Sequence, residues 1–478
     1  MHNYKASSFG GPSTQPADWA VKEFAQAGLS DQRHVKRLEM IATAFAQKPT
    51  ATIPQACSTW AEGKGAYRFF ENDQIAPSAI RQSHHQATLQ RVRTHPIVLA
   101  LQDTSALNYS THPQTQGLGP IGSHSPKTIG LFLHSTLAVT PTGQPLGFLH
   151  NAVRARRGCG LAASRHRRKL AQKESYKWVE SLSACQALAP LCPQTMLVNI
   201  ADREGDLYEL FVQASAPRDR QVHLLVRARH DRKLQDQDQS LWEQAARQPV
   251  AGTLKVRVGR RGDQPSRIAI LNIRFCAVKL RAPARKAHQP SLQLWAIEAR
   301  EISRPKGKGV APILWRLLTT LPVTNVMEAI EKVAWYAQRW QIEVIHKILK
   351  SGCQVEQRQL ETAQRLERAL SVDLVVAWRI LALCKAAREL PEDPVSNWLP
   401  TAQWQALWCY VHQQRIPPQI PPALRQAVRW IAQLGGFLAR KSDGEPGTTT
   451  LWRGLLQLDA MTKMWELCHD KNRRQKCG

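Results

Sequence analysis

Two short apolar runs constrain this chain most. Ile97-Val98-Leu99-Ala100-Leu101 and Met196-Leu197-Val198-Asn199-Ile200-Ala201 show no polar alternation. Strands read this way when both faces are covered, which requires helices above and below a sheet. Asp103 follows the first run and Asp202 the second. The expected fold is therefore mixed α/β, with two carboxylates at the C-terminal ends of core strands.

The flanking patterns extend this reading. Leu131 to Val139 and Leu146 to Val153 read as strands joined by the turn-forming Thr140-Pro141-Thr142-Gly143. A helix from about Lys169 to Leu188, another from about Leu207 to Ala214 and the strand-like VHLLVRAR at 222–229 follow. LKVRVGRR, RIAILNIRFCAVKLRA, LQLWAIEAREI and ILWRLLTTL then predict a β-rich insertion over about residues 230–322.

Both ends of the chain read as helical. After a loose tail over residues 1–12, Trp19, Val21, Phe24 and Ala25 line one short helix. Leu38, Ile41, Ala42 and Phe45 line a second, with the basic string Arg33, His34, Lys36 and Arg37 between them. That string suits nucleic-acid contact and equally suits a solvated helix face. Glu361 to Arg388 is continuously helical in pattern; Pro391, Pro394 and Pro400 end it, and Pro417-Pro418 with Pro421-Pro422 mark a linker. Leu424 to Leu438 and Leu451 to Cys468 give two more helices, suited to packing on a partner or internally. The expected divisions are 1–78 (helical, DNA-binding), 79–375 (catalytic) and 376–478 (helical).

Charge narrows the partner. With 65 Lys+Arg against 37 Asp+Glu, the formal charge is +28 and the pI about 10.1, which favours nucleic acid or another polyanion. The ten cysteines show no C-x-x-C pair and no zinc spacing, as expected of reduced thiols in an intracellular protein. MHNYKASSFGGPSTQ lacks the apolar centre of a secretory leader, and the run from Leu374 to Cys384 is broken by Arg379 and too short to span a bilayer. A cytoplasmic protein with no membrane partner is expected.

The segment EAIEKVAWYAQRWQIEVIHKILKSG supplies a third acid. On a single helix, Tyr336, Arg339, Glu343, His346, Lys347 and Lys350 would share one face of about 100° while Val344, Ile345, Ile348 and Leu349 pack on the other. A strand-end Asp is commonly a turn residue and a helical Glu commonly an exposed partner for Lys. Together, however, Asp103, Asp202 and Glu343 offer the hard oxygen ligands that two divalent cations about 4 Å apart need for phosphoryl transfer.

The residues Tyr336, Arg339, Glu343 and Lys350 form Y-x2-R-x3-E-x6-K without a gap, and LQDTSALNYS, ADREGDLYEL, HLLVRARHDRK, EGKGAYRF and LGGFLARK stand in order around it. On these segments the chain resembles the DDE transposases of the insertion-sequence-four family over nearly its whole length. The resemblance implies an RNase H-like core in which Asp103, Asp202 and Glu343 bind two catalytic Mg²⁺ ions, with Mn²⁺ able to substitute. It implies that Tyr336, Arg339 and Lys350 hold phosphates near the transposon end; Lys347, His346 and Arg227 are further DNA-binding candidates. Trp315 falls at the family's aromatic that stacks on a flipped base. Arg33, Lys36, Arg37, Lys64 and Arg68 become candidates for recognising the inverted repeat.

The implied partners are double-stranded DNA, both transposon ends and target, and a second copy of the chain in a synaptic dimer. A bacterial cytoplasmic location, on the nucleoid when DNA-bound, goes with this. A metal-dependent nuclease without strand transfer and a non-catalytic DNA-binding inhibitor of transposition remain the alternatives. The segment Arg154 to Lys173 is more basic than its family counterpart, so no role is carried over to it.

Overall fold

A computed structural model describes residues 19–122, 127–156, 173–216, 221–235, 238–258, 267–303 and 310–469. Most of the basic segment 154–173 lies outside them. The described strands join into one sheet of ten. β1 (Ile97–Asn108) is central: β3 (Ile129–Val139) runs antiparallel on one side of it, flanked by β4 (Pro145–Arg154) and the two-residue β2 (Gly119–Pro120). On the other side β5 (Met196–Ala201) and β6 (Val222–Arg227) run parallel to it. The order β4–β3–β1–β5–β6, with three antiparallel strands followed by two parallel to the first, is an RNase H-like core.

The β-rich segment is not a separate sheet. β10 (Leu314–Thr319) pairs with β6, and β9 (Leu292–Glu301), β8 (Arg267–Leu280) and β7 (Gly252–Val258) continue antiparallel from it. One hydrogen-bonded ladder thus runs from the core to the end of the insertion.

Alternation along the core strands divides the interior in two. Leu99, Leu101, Val198, Ile200 and Leu225 face one cluster, while Val98, Ala100, Leu197, Leu224 and Val226 face the other. α6 (Tyr176–Leu188), α7 (Tyr208–Ala214) and α8 (Leu241–Arg247) cover the second face. The first is covered by α9 (Val326–Ala337), α10 (Trp340–Lys347) and the 27-residue α11 (Ala363–Glu389).

α11 is the pillar on which the helical ends dock. The N-terminal helices α2 (Gln32–Gln47), α4 (Trp60–Glu71) and α5 (Pro77–Val92) pack against it and carry α1 (Trp19–Phe24) and α3 (Ile53–Ala56); at the other end α12 (Thr401–His412) packs on α13 (Leu424–Leu434) and α14 (Thr448–His469), which themselves pack against α11. Buried arginines fix the N-terminal side. Arg368 donates to the carbonyls of Ile75 (2.7 Å) and Phe70 (2.9 Å), and Arg358 pairs with buried Asp373 at 2.8 Å while donating to Ala51 O at 3.0 Å. Residue 375 lies within α11, so the central and C-terminal segments share one continuous helix.

Three local expectations change. The basic string lies within α2 rather than before it, because Asp31 caps the helix by accepting from Arg33 N. β1 continues past Asp103 to Asn108, because residues 104–108 stay paired with β3; Asp103 is mid-strand, opposite Ser135. The helix expected through 336–350 is divided. Tight turns at Gln338 and Arg339 separate α9 from α10, and a π turn follows over Ile348–Gly352, with Cys353 N donating to Ile348 O at 2.7 Å. The β3–β4 turn packs against this break. Gly143 has φ +102°, and a Cβ there would meet the Gln338 amide oxygen at 2.6 Å.

α1 is held to α5 by charge. Glu23, buried, accepts from Arg91 and from His84 Nδ1, each at 2.6 Å. Burial raises the Glu23 carboxyl, but Arg91 and His84 more than offset this and leave it at about 2, against an ordinary 4.5. Burial holds the His84 imidazole below its ordinary value, so Arg91 is the lasting counter-charge. A carboxyl depressed on folding stabilises above its unfolded pKa and loses that contribution as pH falls through the folded one. Glu23→Gln is therefore expected to cost about 3 kcal/mol at neutral pH, and the gap to wild type should close between pH 4.5 and 2 in urea denaturation curves.

Candidate active site and nucleic-acid interface

The parallel register of β1 and β5 builds the site. Leu101 pairs with Ile200, so extending the register by two residues sets Asp103 beside Asp202, about 4.8 Å away across the strands. Both continue the parity of Leu101 and Ile200, toward the face covered by α9 and α10. Glu343 arrives on α10, which packs against β1 through Ile342 and Ile345. Burial pushes the Asp103 carboxyl up to about 6; Arg339 opposes the rise, and the Asp202 and Glu343 charges add to it. The three acids thus share one electrostatic environment.

Arg339 lies between two of them. Its guanidinium is 2.5 Å from Glu343 Oε1 and 3.9 Å from Asp103 Oδ2. Among the described residues no three His, Cys, Asp or Glu side chains form a ready metal-binding group. The donor set nevertheless fits a divalent ion. The carboxylates supply hard oxygens, and a partly buried carboxyl crowded by two like charges gains from any added cation.

The neighbouring residues divide by burial. Tyr336 is 4% exposed, shares a hydrogen bond with Arg339 and meets the Trp315 ring edge to face at 5.3 Å. It thus touches both Arg339 and Trp315. Arg227, at the end of β6, donates to Leu314 O at 3.1 Å on the same side. Lys350 sits in the π turn with Nζ 3.9 Å from Glu356, and Lys347 is exposed. His346 is enclosed beside the acids. Its Nδ1 is 3.8 Å from Asp103, its Nε2 is buried without a hydrogen-bond partner, and burial first, then Lys350 and Arg339, take the imidazole down to about 3. The period of 100° alone could not separate it from its exposed neighbour Lys347.

Asp206 is structural. Buried, it accepts from the backbone N–H groups of Arg229 (2.7 Å) and His230 (2.9 Å) and pairs with Arg232, fixing the loop after β6 near Asp202.

The N-terminal candidates lie on two touching helices. Arg33 pairs with Asp31 at 2.7 Å, Lys36 is exposed on α2, and Arg37 lies across Gly65 of α4, where a Cβ would be 2.8 Å from the guanidinium. Lys64 and Arg68 form an exposed ridge on α4 with a residue that sequence reasoning missed. Trp60, 77% exposed, begins the helix under Lys64 Nζ, 4.6 Å from the ring centroid. The spacing 60, 64, 68 was the available signal.

Comparisons with known proteins agree with this layout. A transposase DNA-binding family matches residues 16–75, a transposase DDE domain matches 214–377, and the transposase Tn5 dimerisation domain matches 375–466. Glu343 lies inside the DDE match; Asp103 and Asp202 lie upstream of it. The piggyBac transposase, solved in a synaptic complex with hairpin DNA, aligns over 92% of this chain and 73% of its own, at 8% identity and a TM-score of 0.37. No helix among the described residues is long and apolar enough to cross a membrane. With DNA-binding, DDE and dimerisation segments in sequence, the chain belongs to the DDE transposases of the Tn5 type, enzymes that act on DNA.

Proposed function

We propose a cut-and-paste transposase that recognises inverted repeats with α2 and α4, cleaves at the Asp103–Asp202–Glu343 centre and joins the ends to target DNA. The observation that supports the reading most is the β1–β5 register, which ends at Leu101 opposite Ile200, two residues before Asp103 and Asp202. The proposed divisions are 1–78, 79–375 and 376–478.

Asp103, Asp202 and Glu343 would hold two divalent ions, Mg²⁺ or Mn²⁺. When bound, these supply an activated water or 3′-hydroxyl and stabilise the leaving oxygen. The chain's own residues do the rest. Arg339, beside Glu343 and Asp103, would offer its planar fork to a phosphate, with Tyr336 limiting where it turns. Lys350 adds a point charge at the rim, and Lys347 can reach the backbone beyond it. Trp315, held edge-on by Tyr336, offers a ring face for an unstacked base and so for a hairpin intermediate. Stacking of that kind contributes about 1–3 kcal/mol. α14 leaves Met464 and Leu467 exposed, which suits pairing with a second copy in a synaptic complex. A cytoplasmic, nucleoid-associated location follows from this reading.

The test is incubation with Mg²⁺ and DNA carrying the native inverted repeats, followed by sequencing of target junctions. Joined ends support the proposal, and cleavage without joining overturns its strand-transfer step. Asp103→Ala, Asp202→Ala and Glu343→Ala should each lower cleavage by at least about 10³-fold, or roughly 4 kcal/mol of barrier, with end binding in gel shifts unchanged. Arg339→Ala removes the counter-charge of Asp103 and Glu343, so DNA-free protein should bind Mn²⁺ more tightly by electron paramagnetic resonance titration while cleaving ends more slowly. Trp60→Ala should weaken binding to the inverted repeat with little change in binding to random duplex.

A further inference from the structure

The sheet has a second basic face, on the side of β7–β10 away from the catalytic centre. Residues directly opposite in a sheet share a face, and the pairing here is explicit. Arg274 of β8 and Arg316 of β10 flank Glu298 of β9, Asn272 flanks Arg300, and Lys255 and Arg257 of β7 stand opposite Ile270 and Ile268. Trp315, next to Arg316, points the other way, to Tyr336. Lys255, Arg257 and Arg300 are exposed, while Ala269, Leu271, Ile273, Ile297 and Ala299 of the opposite parity are buried.

The arginines are held in place. Glu298 is 1% exposed and lies 3.1 Å from Arg316, 3.2 Å from Arg300 and 3.9 Å from Arg274. Arg274 Nε also donates to Gln248 O at 3.0 Å, and the Arg316 guanidinium sits 5.3 Å from the Trp242 ring centroid. One sunken carboxylate thus orients three guanidinium groups whose outer edges remain available. Among the described residues it is the one acid that pairs with them.

Like charges on adjacent strands destabilise a sheet, and a lysine or two is enough to guard an edge strand against pairing. Five cations across four strands exceed that need. With strands about 4.8 Å apart, the strip is about 14 Å wide, and a duplex presents one charge per about 1.7 Å of axis.

We propose that the face formed by Lys255, Arg257, Arg274, Arg300 and Arg316 binds the phosphate backbone of duplex DNA without regard to sequence, separately from the DNA held at the catalytic face. It rests on the reading that this transposase handles two DNA segments, and the surface is suited to the one not being cleaved. Apolar Ile268 and Ile270 lie between the cations, where backbone contact needs no base recognition.

The test uses full-length protein, a random-sequence duplex lacking the inverted repeat, and the repeat duplex beside it. Log of the binding constant is measured against log of NaCl concentration for wild type and for the triple variant Lys255→Gln, Arg257→Gln, Arg300→Gln. Losing three phosphate contacts should make the random-duplex slope shallower by about 2 to 3, with repeat binding and cleavage retained. An unchanged slope overturns the proposal. If the triple variant melts early, Lys255→Glu, on the exposed edge strand, must still make the slope shallower, and no change there is equally fatal. Wild type that binds neither duplex would instead contradict the transposase reading itself.

Discussion

The parallel register of β1 against β5 is the constraint on which the rest depends. Extended two residues past Leu101 and Ile200, it sets Asp103 beside Asp202, toward the face that α10 covers. A slip of one residue would turn the carboxylate of the slipped strand to the opposite face, among Trp178, Leu182 and the apolar side chains of α6. Burial of both faces of the central strands fixes that register, and the site inherits its precision from the core.

The same economy governs the surrounding charges. Arg339, Tyr336 and Trp315 form a chain of contacts from the carboxylates to the insertion, and β10 carries Trp315 because it hydrogen-bonds to β6 of the core. A separate insertion sheet could drift; a continued ladder does not. The buried Arg368 and Arg358 likewise tie the N-terminal helices to α11, so DNA held on α4 would be held in fixed relation to the catalytic face. These buried donors are costly to leave unpaired, which makes the arrangement specific.

Much of this was legible because burial writes itself into composition. The two apolar runs, the β3–β4 turn and the carboxylates follow from period and turn chemistry. The extension of β1 did not, since Thr104 and Ser105 look like loop residues until His134 and Leu133 pair with them. The division at Gln338 and Arg339 was hidden because each half keeps a 3.6-residue period; it answers to the β3–β4 turn, a tertiary contact. Burial of Tyr336 and His346 was out of reach for the same reason. The seven-residue α8 carried too few turns to stand out from flanking strands, and α12 lies between prolines that read as a linker.

The central claim is that Asp103, Asp202 and Glu343 form a single metal centre. Fe²⁺ substituted for the native ion, with ascorbate and peroxide, cuts protein backbone only close to where the metal sits. The account predicts cuts clustered at all three positions together, and their joint loss in Asp103→Ala. Cuts at one position alone, or a pattern that survives that substitution, would contradict it.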